Sequence, residues 1–580
     1  MAELRRLLIA NRGEIAVRIV RACREMGIAP IVAVAPGDRA SMWAELADEP
    51  AEVDSYLDGA GLVRAAVAAR ADAVHPGYGF LSEDPAFAEL VVDAGLGWVG
   101  PPPDAMRLLG DKAAARALAT AAGVPVVPGS AAAAGPSEDD ALHRAAEGLG
   151  TPLLVKAAAG GGGRGMRSVE DIADLGRALT AAREEAAAGF GDGRVFLERR
   201  LDDVRHVEVQ VVLDDHGNSV HLGERDCSLQ RRHQKLVEEA PSPAATPELR
   251  KALGDAAIEI AERAGYRGAG TAEFLVGAGG AWWFLEMNAR LQVEHPVTEA
   301  VTGVDLVRAQ LEIAAGSPLG SGRGDVETRG HAFEARVYAE DPANGFLPTG
   351  GRVALLELPR WPGVRIDTAL RRGDVVGLGY DPLLAKVIAH AEDRTSALAR
   401  LRAALGEVRI VGVATNLGFL LDVLAHPQFV EGTAGTDWVE RNWTARVPAL
   451  PDGVIAERAR SDPWIAFGTG AAEASPPEVT VAGSHAQYRG WSYSVGDQDL
   501  VADELPPPGG SLTAPMPASV LRVDVRVGDA VEAGQVLALL EAMKIQVQVA
   551  APAAGRVRAV HVRAGDVVAR GESLIEMEEG

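Results

Sequence analysis

Leu7-Leu8-Ile9-Ala10 is an unbroken apolar run of strand length, after which Ile15, Ile19, Ala22 and Met26 recur at helical spacing. The chain is therefore expected to open with a strand, a helix over Glu14 to Met26, and a second strand over Ile31 to Ala35. The connection lacks Gly-x-Gly-x-x-Gly, which removes the dinucleotide fingerprint. A proline patch, Pro101 to Pro103, and the small-residue stretch Gly129 to Gly135 mark internal boundaries, and mixed α/β texture continues to about residue 446. Between Pro448 and Gly510 the composition shifts to Pro, Gly, Ser and Asp. Within it, alternation from Val479 to Val495, with Tyr488, Trp491 and Tyr493, predicts a hairpin inside a linker. A β patch covering a neighbouring surface is the first reading of that hairpin, and a docking site for a partner subunit is the second.

The C-terminal segment repeats itself with a shift of 37 positions. Ala514, Pro515, Val520, Val523, Gly528, Asp529, Gly534 and Leu537 align with Ala551, Pro552, Val557, Val560, Gly565, Asp566, Gly571 and Leu574. Two short copies, each alternating apolar residues between Gly-Asp turns, imply a pseudo-twofold β module rather than a solenoid. Ala542-Met543-Lys544-Ile545 lies where the copies join, so Lys544 is expected at the tip of a hairpin, exposed and open to modification.

Composition narrows the classes. Lys and Arg number 57 against 81 Asp and Glu, a net charge of −24, which disfavours a nucleic-acid or anionic-membrane surface. Cys23 and Cys227 provide no disulfide framework and suit a reducing cytoplasm, and a free Cys such as Cys227 reads as packing. Leu7 to Ala10 is too short for a signal-peptide core, and no long apolar run follows.

Candidate chemistry lies in three places. The strand Leu153 to Lys156 runs into a glycine loop, Gly160 to Gly165, whose backbone N–H groups could approach phosphate, though no Gly-Lys-Ser/Thr follows to make a Walker loop. Next, Glu273 to Val276 and Trp282 to Asn288 flank Gly277-Ala278-Gly279-Gly280. A two-residue turn at Gly279-Gly280 places Glu273 opposite Glu286 with Asn288 on the same face. Facing like charges are destabilising, so a cation between them is implied, and oxygen ligands suit Mg²⁺. Finally, if Arg290 to Glu294 is extended, Arg290, Gln292 and Glu294 share a face, and the planar guanidinium fork matches a planar oxyanion.

With these segments in hand, the first 446 residues resemble a biotin carboxylase of the ATP-grasp class. The resemblance rests on Ile9 to Ala16, His75 to Glu83, the Gly160 loop, Arg225 to Ser228, Gln230 to Lys235, and Glu286 to Pro296. The C-terminal module resembles the biotinyl carrier domain, with Ile545 in place of the usual second Met, and Met543 argues against the related lipoyl domain. The implied fold is α/β multidomain: a Rossmann-like N-terminal domain (1–112), an ATP-grasp domain with a glycine-rich lid (113–320) and a C-terminal α+β domain (321–446). A linker with a short β segment (447–510) and an all-β flattened barrel of the biotinyl/lipoyl type (511–580) complete it.

The resemblance implies that Lys112, Lys156 and the lid glycines Gly161, Gly162 and Gly163 contact ATP phosphates. Glu198, Arg199 and Leu201 would hold adenine, with His206 and Gln230 near the ribose and His233 on the phosphate side. Glu273, Glu286 and Asn288 would bind Mg²⁺ or Mn²⁺, while Arg290, Gln292 and the Val293 backbone would bind bicarbonate. Glu294 would be the general base, Lys235 a catalytic lysine, and Arg336 the stabiliser of the enolate-like oxygen of biotin, itself carried on Lys544.

The implied activity is that of a C–N ligase: ATP-driven carboxylation of biotin, the first half-reaction of an acyl-CoA carboxylase of the acetyl-CoA/propionyl-CoA type. Residues 447–510 are too few for a carboxyltransferase domain, so a separate β subunit is expected, acyl-CoA being met only through it. Biotin protein ligase, a homo-oligomer within a larger complex, and a cytoplasmic location complete the expectation. A carrier and assembly subunit with weak activity, and an ATP-grasp ligase for another carboxylate with a lipoylated tail, are the alternatives.

Overall fold

The apolar strands at the N-terminus are buried on both faces, the condition a parallel sheet requires. The computed structural model describes residues 4–449 except 131, 159–164 and 320–325, residues 479–494 except 483–484, and residues 511–579 except 515–517, 543–544 and 569–571. Gly161, Gly162 and Gly163 of the glycine loop, and Met543 and Lys544, lie outside the described residues. Arg6–Ile9 pairs in parallel with Ala29–Val34 on one side and Ala73–His75 on the other, inside a five-stranded parallel sheet. The intervening helix, Gly13–Glu25, buries Ile15, Ile19 and Ala22 as its spacing predicts, and ends at Met26.

One antiparallel sheet of eight strands forms the centre of the chain. It runs from the Gly268–Val276/Trp282–Asn288 hairpin through Arg205–Leu213, Ser219–Arg231 and Gln234–Ala240 to His331–Tyr338, Leu383–Ala391 and Val364–Thr368. Gln234–Ala240 pairs directly with His331–Tyr338, so the sheet crosses the expected division at 320/321 without interruption. Leu153–Ala157, flanked by Arg167–Val169 and Val195–Arg199, makes a separate three-stranded sheet with its own small core. Among the described residues no helix is long and apolar enough to cross a membrane.

The C-terminal module consists of two four-stranded antiparallel sheets around Val520, Leu537, Leu540, Val557 and Leu574. Its internal symmetry is visible in the hydrogen bonds. Gly528 N–H donates to Val557 O and Gly565 N–H to Val520 O, both at 2.8 Å, the same bond exchanged between the copies. Both glycines have φ of 95°, which a turn of this kind reserves for Gly. Val536–Ala542 pairs with Ile545–Ala550, Ala542 opposite Ile545.

Residues 479–494 depart from expectation. They form not a hairpin but a three-stranded antiparallel sheet, Val479–Ala482, His485–Tyr488 and Trp491–Ser494. Its apolar side lies on the chain's own 408–418 region. Gln487, almost fully buried, accepts from Ile410 N–H at 2.8 Å and donates to Val408 O at 2.9 Å. Trp491 packs so close to Gly418 that a Cβ there would stand 2.5 Å from the indole. The aromatic residues that suggested a partner dock are therefore occupied by the first of the two readings, a cover for a neighbouring surface. Replacing Trp491 by Ala should cost about 3 kcal/mol. Thermal melts should show the transition of the large unit lowered and that of the carrier module unchanged; equal melting of variant and wild type would contradict this packing role.

Candidate functional site

Glu273 stands directly opposite Glu286, in the register expected, but by a different route. The turn is a three-residue one, Ala278–Gly280, with Gly277 N–H donating to Ala281 O and φ of 73° and 82° at Gly279 and Gly280. That shifts the pairing by one, and a bulge between Glu273 and Phe274 shifts it back, with Leu285 as the extra residue. Glu273, Asn288 and Glu286 share the site end of the hairpin. Asn288 Nδ2 donates to Glu273 Oε1 at 2.8 Å, and Lys112, first residue of the helix Lys112–Ala121, lies 2.8 Å from Glu286. This oxygen-rich, anionic donor set fits a hard divalent cation.

Strand alternation brings a second row alongside. His206, Glu208 and Gln210 alternate with Val207, Val209 and Val211 on Arg205–Leu213, so the three polar side chains face one way. His206 is 2.9 Å from Glu273 and takes Gln230 at its other nitrogen at 2.7 Å. Burial alone would lower the His206 pKa, but Glu273 outweighs it and the imidazole is raised above its ordinary value. The alternation was a legible signal for Glu208 that motif reading passed over.

Lys235 is the centre of the cluster. Its ammonium donates to Glu208, to Glu273 at 2.8 Å and to Glu294 at 2.7 Å. Burial opposes its charge, but these three carboxylates hold its pKa well above the usual lysine value. Glu294 is wholly buried, and burial would raise its pKa; Lys235, Arg336 and Arg225 reverse this and keep it well below the carboxylate range. Arg336 reaches Glu294 at 2.8 Å and Glu238 at 2.6 Å. Glu238, another residue the motifs did not mark, is pushed up to about 7 by burial against the pull of Arg336. Arg225, fully buried, braces Glu208, Gln210, Thr271 and Thr298 from behind.

The 290–294 segment is not extended. It bends after Asn288 and turns at Val293-Glu294 into the helix His295–Thr302, so Glu294 is carried inward to Lys235 and Arg336. Arg290 and Gln292 do meet: Arg290 donates to Gln292 Oε1 at 2.9 Å, and its Nε reaches Glu83 at 2.9 Å. Among the described residues Gln292 Nε2 is a buried donor without a partner, a group that an oxyanion could satisfy.

The remaining expected residues are spread around this core. Lys156 and Arg116 both pair with Glu198, at 2.7 and 2.5 Å. Arg199 points its side chain out to Leu149 O, with its own N–H committed to Pro128 O, and Leu201 follows the end of that strand. Arg231 and Lys235 diverge: Arg231 pairs with Glu340, and Arg232 and His233 form the exposed tip of the hairpin at φ of 48° and 65°. Cys227 is fully buried, and burial holds its thiol well above the usual value, as a packing residue requires.

Four family models account for nearly all of the described chain. They are biotin carboxylase, N-terminal domain, over 3–106; carbamoyl-phosphate synthase L chain, ATP binding domain, over 111–321; biotin carboxylase C-terminal domain over 334–441; and biotin-requiring enzyme over 510–577. A biotin carboxylase of Nostoc sp. is 46% identical over 441 residues, covering 75% of this chain and 98% of that protein. The chain belongs to the biotin carboxylase family. It is a ligase of that kind with a biotin carrier domain on the same polypeptide.

Other biotin carboxylase relatives extend the likeness. The mitochondrial methylcrotonoyl-CoA carboxylase subunit alpha of Dictyostelium discoideum is 37% identical over 651 aligned positions, covering 95% of this chain and 92% of that one. The biotin carboxylase domain of Hydrogenobacter thermophilus 2-oxoglutarate carboxylase, solved as a dimer with MgADP, ADP and bicarbonate, superposes with a TM-score of 0.74 at 40% identity. It covers 76% of this chain and 98% of its own. Campylobacter jejuni biotin carboxylase, solved as a β-γ-ATP complex, gives the same score and identity, over 76% and 99% of the two chains. In this biotin carboxylase, Glu286→Gln should weaken Mg-nucleotide binding by about tenfold, roughly 1.4 kcal/mol, while nucleotide binding in EDTA changes little. Calorimetric titration decides it; equal losses with and without Mg²⁺ would sink the metal reading.

Proposed function

We propose that this chain carboxylates biotin attached to Lys544 at the expense of ATP and bicarbonate, the first half-reaction of an acyl-CoA carboxylase. The observation that supports it best is that one ammonium, Lys235, touches both Glu273 and Glu294. The cation-binding and bicarbonate-binding halves are thereby joined through a single group. Glu273, Glu286 and Asn288 are the ligands that would hold Mg²⁺ or Mn²⁺, whose chemistry is to neutralise charge on the ATP phosphates. Lys112, Lys156 and the lid glycines would contact the phosphates; Glu198, Arg199, Leu201, His206, Gln230 and His233 would provide the rest of the nucleotide site.

Arg290, the unpartnered Gln292 Nε2 and the Val293 backbone are the groups that would hold bicarbonate. Glu294, held below the ordinary carboxylate range by Lys235 and Arg336, is the group taken as general base, while Arg336 stands over the same carboxylate, ready to stabilise a developing oxyanion.

The carboxyltransferase is a separate β subunit that alone meets the acyl-CoA. The acceptor is a short-chain acyl-CoA of the acetyl-CoA/propionyl-CoA type, with methylcrotonoyl-CoA brought in by the name of the Dictyostelium relative. Biotin protein ligase loads Lys544, the complex is homo-oligomeric in this chain, and its location is the cytoplasm.

The test is incubation of the biotinylated chain with labelled bicarbonate and Mg-ATP beside Lys544→Arg. Acid-labile label retained on protein should require both ATP and Lys544. Its absence from chains shown by mass to carry biotin would overturn the proposal and favour a carrier with an inactive ATP-grasp region.

A further inference from the structure

Lys386 is a lysine with no exposed surface, on the strand Leu383–Ala391, and none of the motifs marks it. In the sheet it lies beside Arg336 on one neighbouring strand and Asp367 on the other. Two cations side by side on one sheet face repel each other, so each needs its own anion. Arg336 has Glu294 and Glu238; Lys386 has Glu14 at 3.1 Å, with Asp367 at 3.8 Å. Glu14, Glu334 and Asp367 together outweigh the burial that disfavours its charge, so the ammonium is retained. The same Nζ also donates to the carbonyl of Val293 at 3.0 Å.

That last bond fixes a peptide. In a trans peptide the C=O and N–H point to opposite sides. Lys386 holds the Val293 carbonyl, which turns the Glu294 N–H the other way. The preceding carbonyl, Gln292 O, is held at 2.8 Å by Nδ1 of the buried His295, which turns the Val293 N–H the other way as well. A carbonyl can only accept, so Nδ1 carries the proton. Neither the Val293 nor the Glu294 N–H has a partner among the described residues. Two consecutive amides are thus held with donors free, beside Arg290 and the unpartnered Gln292 Nε2.

We propose that Lys386 is a positioning residue for the oxyanion: from behind the 290–294 turn it locks the Val293 carbonyl, and so presents the two amide donors that receive bicarbonate. The inference rests on the reading of this turn as the bicarbonate site, and it adds a residue from the C-terminal part of the sheet that does not touch the anion. Its reach to Glu14, whose carboxylate also accepts from Tyr78 O–H, anchors the turn to the N-terminal unit at the same time.

The experiment measures bicarbonate-dependent ADP release by the full biotinylated chain, varying bicarbonate and Mg-ATP separately, with Tm recorded for each variant. Lys386→Met should raise the KM for bicarbonate about tenfold or more and leave the KM for Mg-ATP within about twofold. Lys386→Arg, which keeps a charged donor, should recover most of the loss. Trp491→Ala, a packing change remote from the turn, should lower Tm while leaving the bicarbonate KM unchanged. Where Lys386→Met does not accumulate as folded protein, Lys386→Gln carries the same comparison of the two KM values. A folded variant with both constants unchanged, both rising together, or Trp491→Ala matching the loss at Lys386 would overturn the proposal. A wild-type chain whose ADP release ignores bicarbonate would instead remove the bicarbonate reading itself, before any variant is compared.

Discussion

Lys235 stands among Glu208, Glu273 and Glu294, and a buried site tolerates three carboxylates only if cations hold them. Taking the ammonium away leaves buried carboxylates short of a cation, a loss of about 3–5 kcal/mol. The ammonium is therefore a structural necessity before it is a chemical one. It fixes the distance between the hairpin that carries Glu273 and the turn that carries Glu294. Arg225 secures the group from beneath and Arg336 from the far side, so the cluster is a network in which each charge is fixed by at least one opposite charge.

The eight-stranded sheet makes this arrangement possible. Glu208, Glu273, Lys235 and Arg336 sit on four different strands of it, and Glu294 enters from the turn after the edge hairpin. Rows of side chains on adjacent strands need no long reach to meet, which is why residues more than a hundred positions apart, Lys235 and Arg336, can both touch Glu294. The same sheet continues to Lys386 and Asp367, linking the site to the helix Gly13–Glu25 through Glu14. The small sheet at 479–494 extends the large unit rather than standing free in a linker, because Gln487 and Trp491 are satisfied only against 408–418.

Much of this was legible in the sequence, and the misses have physical causes. The 37-position repeat required a twofold, and the exchanged Gly528 and Gly565 bonds show it. The opposition of Glu273 and Glu286 was reached from a two-residue turn; the longer turn and the bulge cancel, so the register survived an incorrect connection. Alternation failed at 290–294 because a side chain's direction follows the backbone, and Glu294 begins a helix. The hairpin expected at 479–495 gained a third strand because tertiary contact decides strand pairing at such lengths. Glu238 and Lys386 were invisible because a charged residue inside an apolar strand reads as exposed until its neighbours across the sheet are known.

The central claim is that Lys235 couples the nucleotide half of the site to the bicarbonate half. Titration of the chain with MgADP, with and without bicarbonate, tests it most directly when wild type is compared with Lys235→Met. Bicarbonate should tighten MgADP binding to the wild type by about fivefold or more, and the folded variant should bind MgADP with the same affinity whether bicarbonate is present or not. A Lys235→Met chain that keeps the wild-type ratio would show that the two halves communicate without this ammonium, and the account would fail.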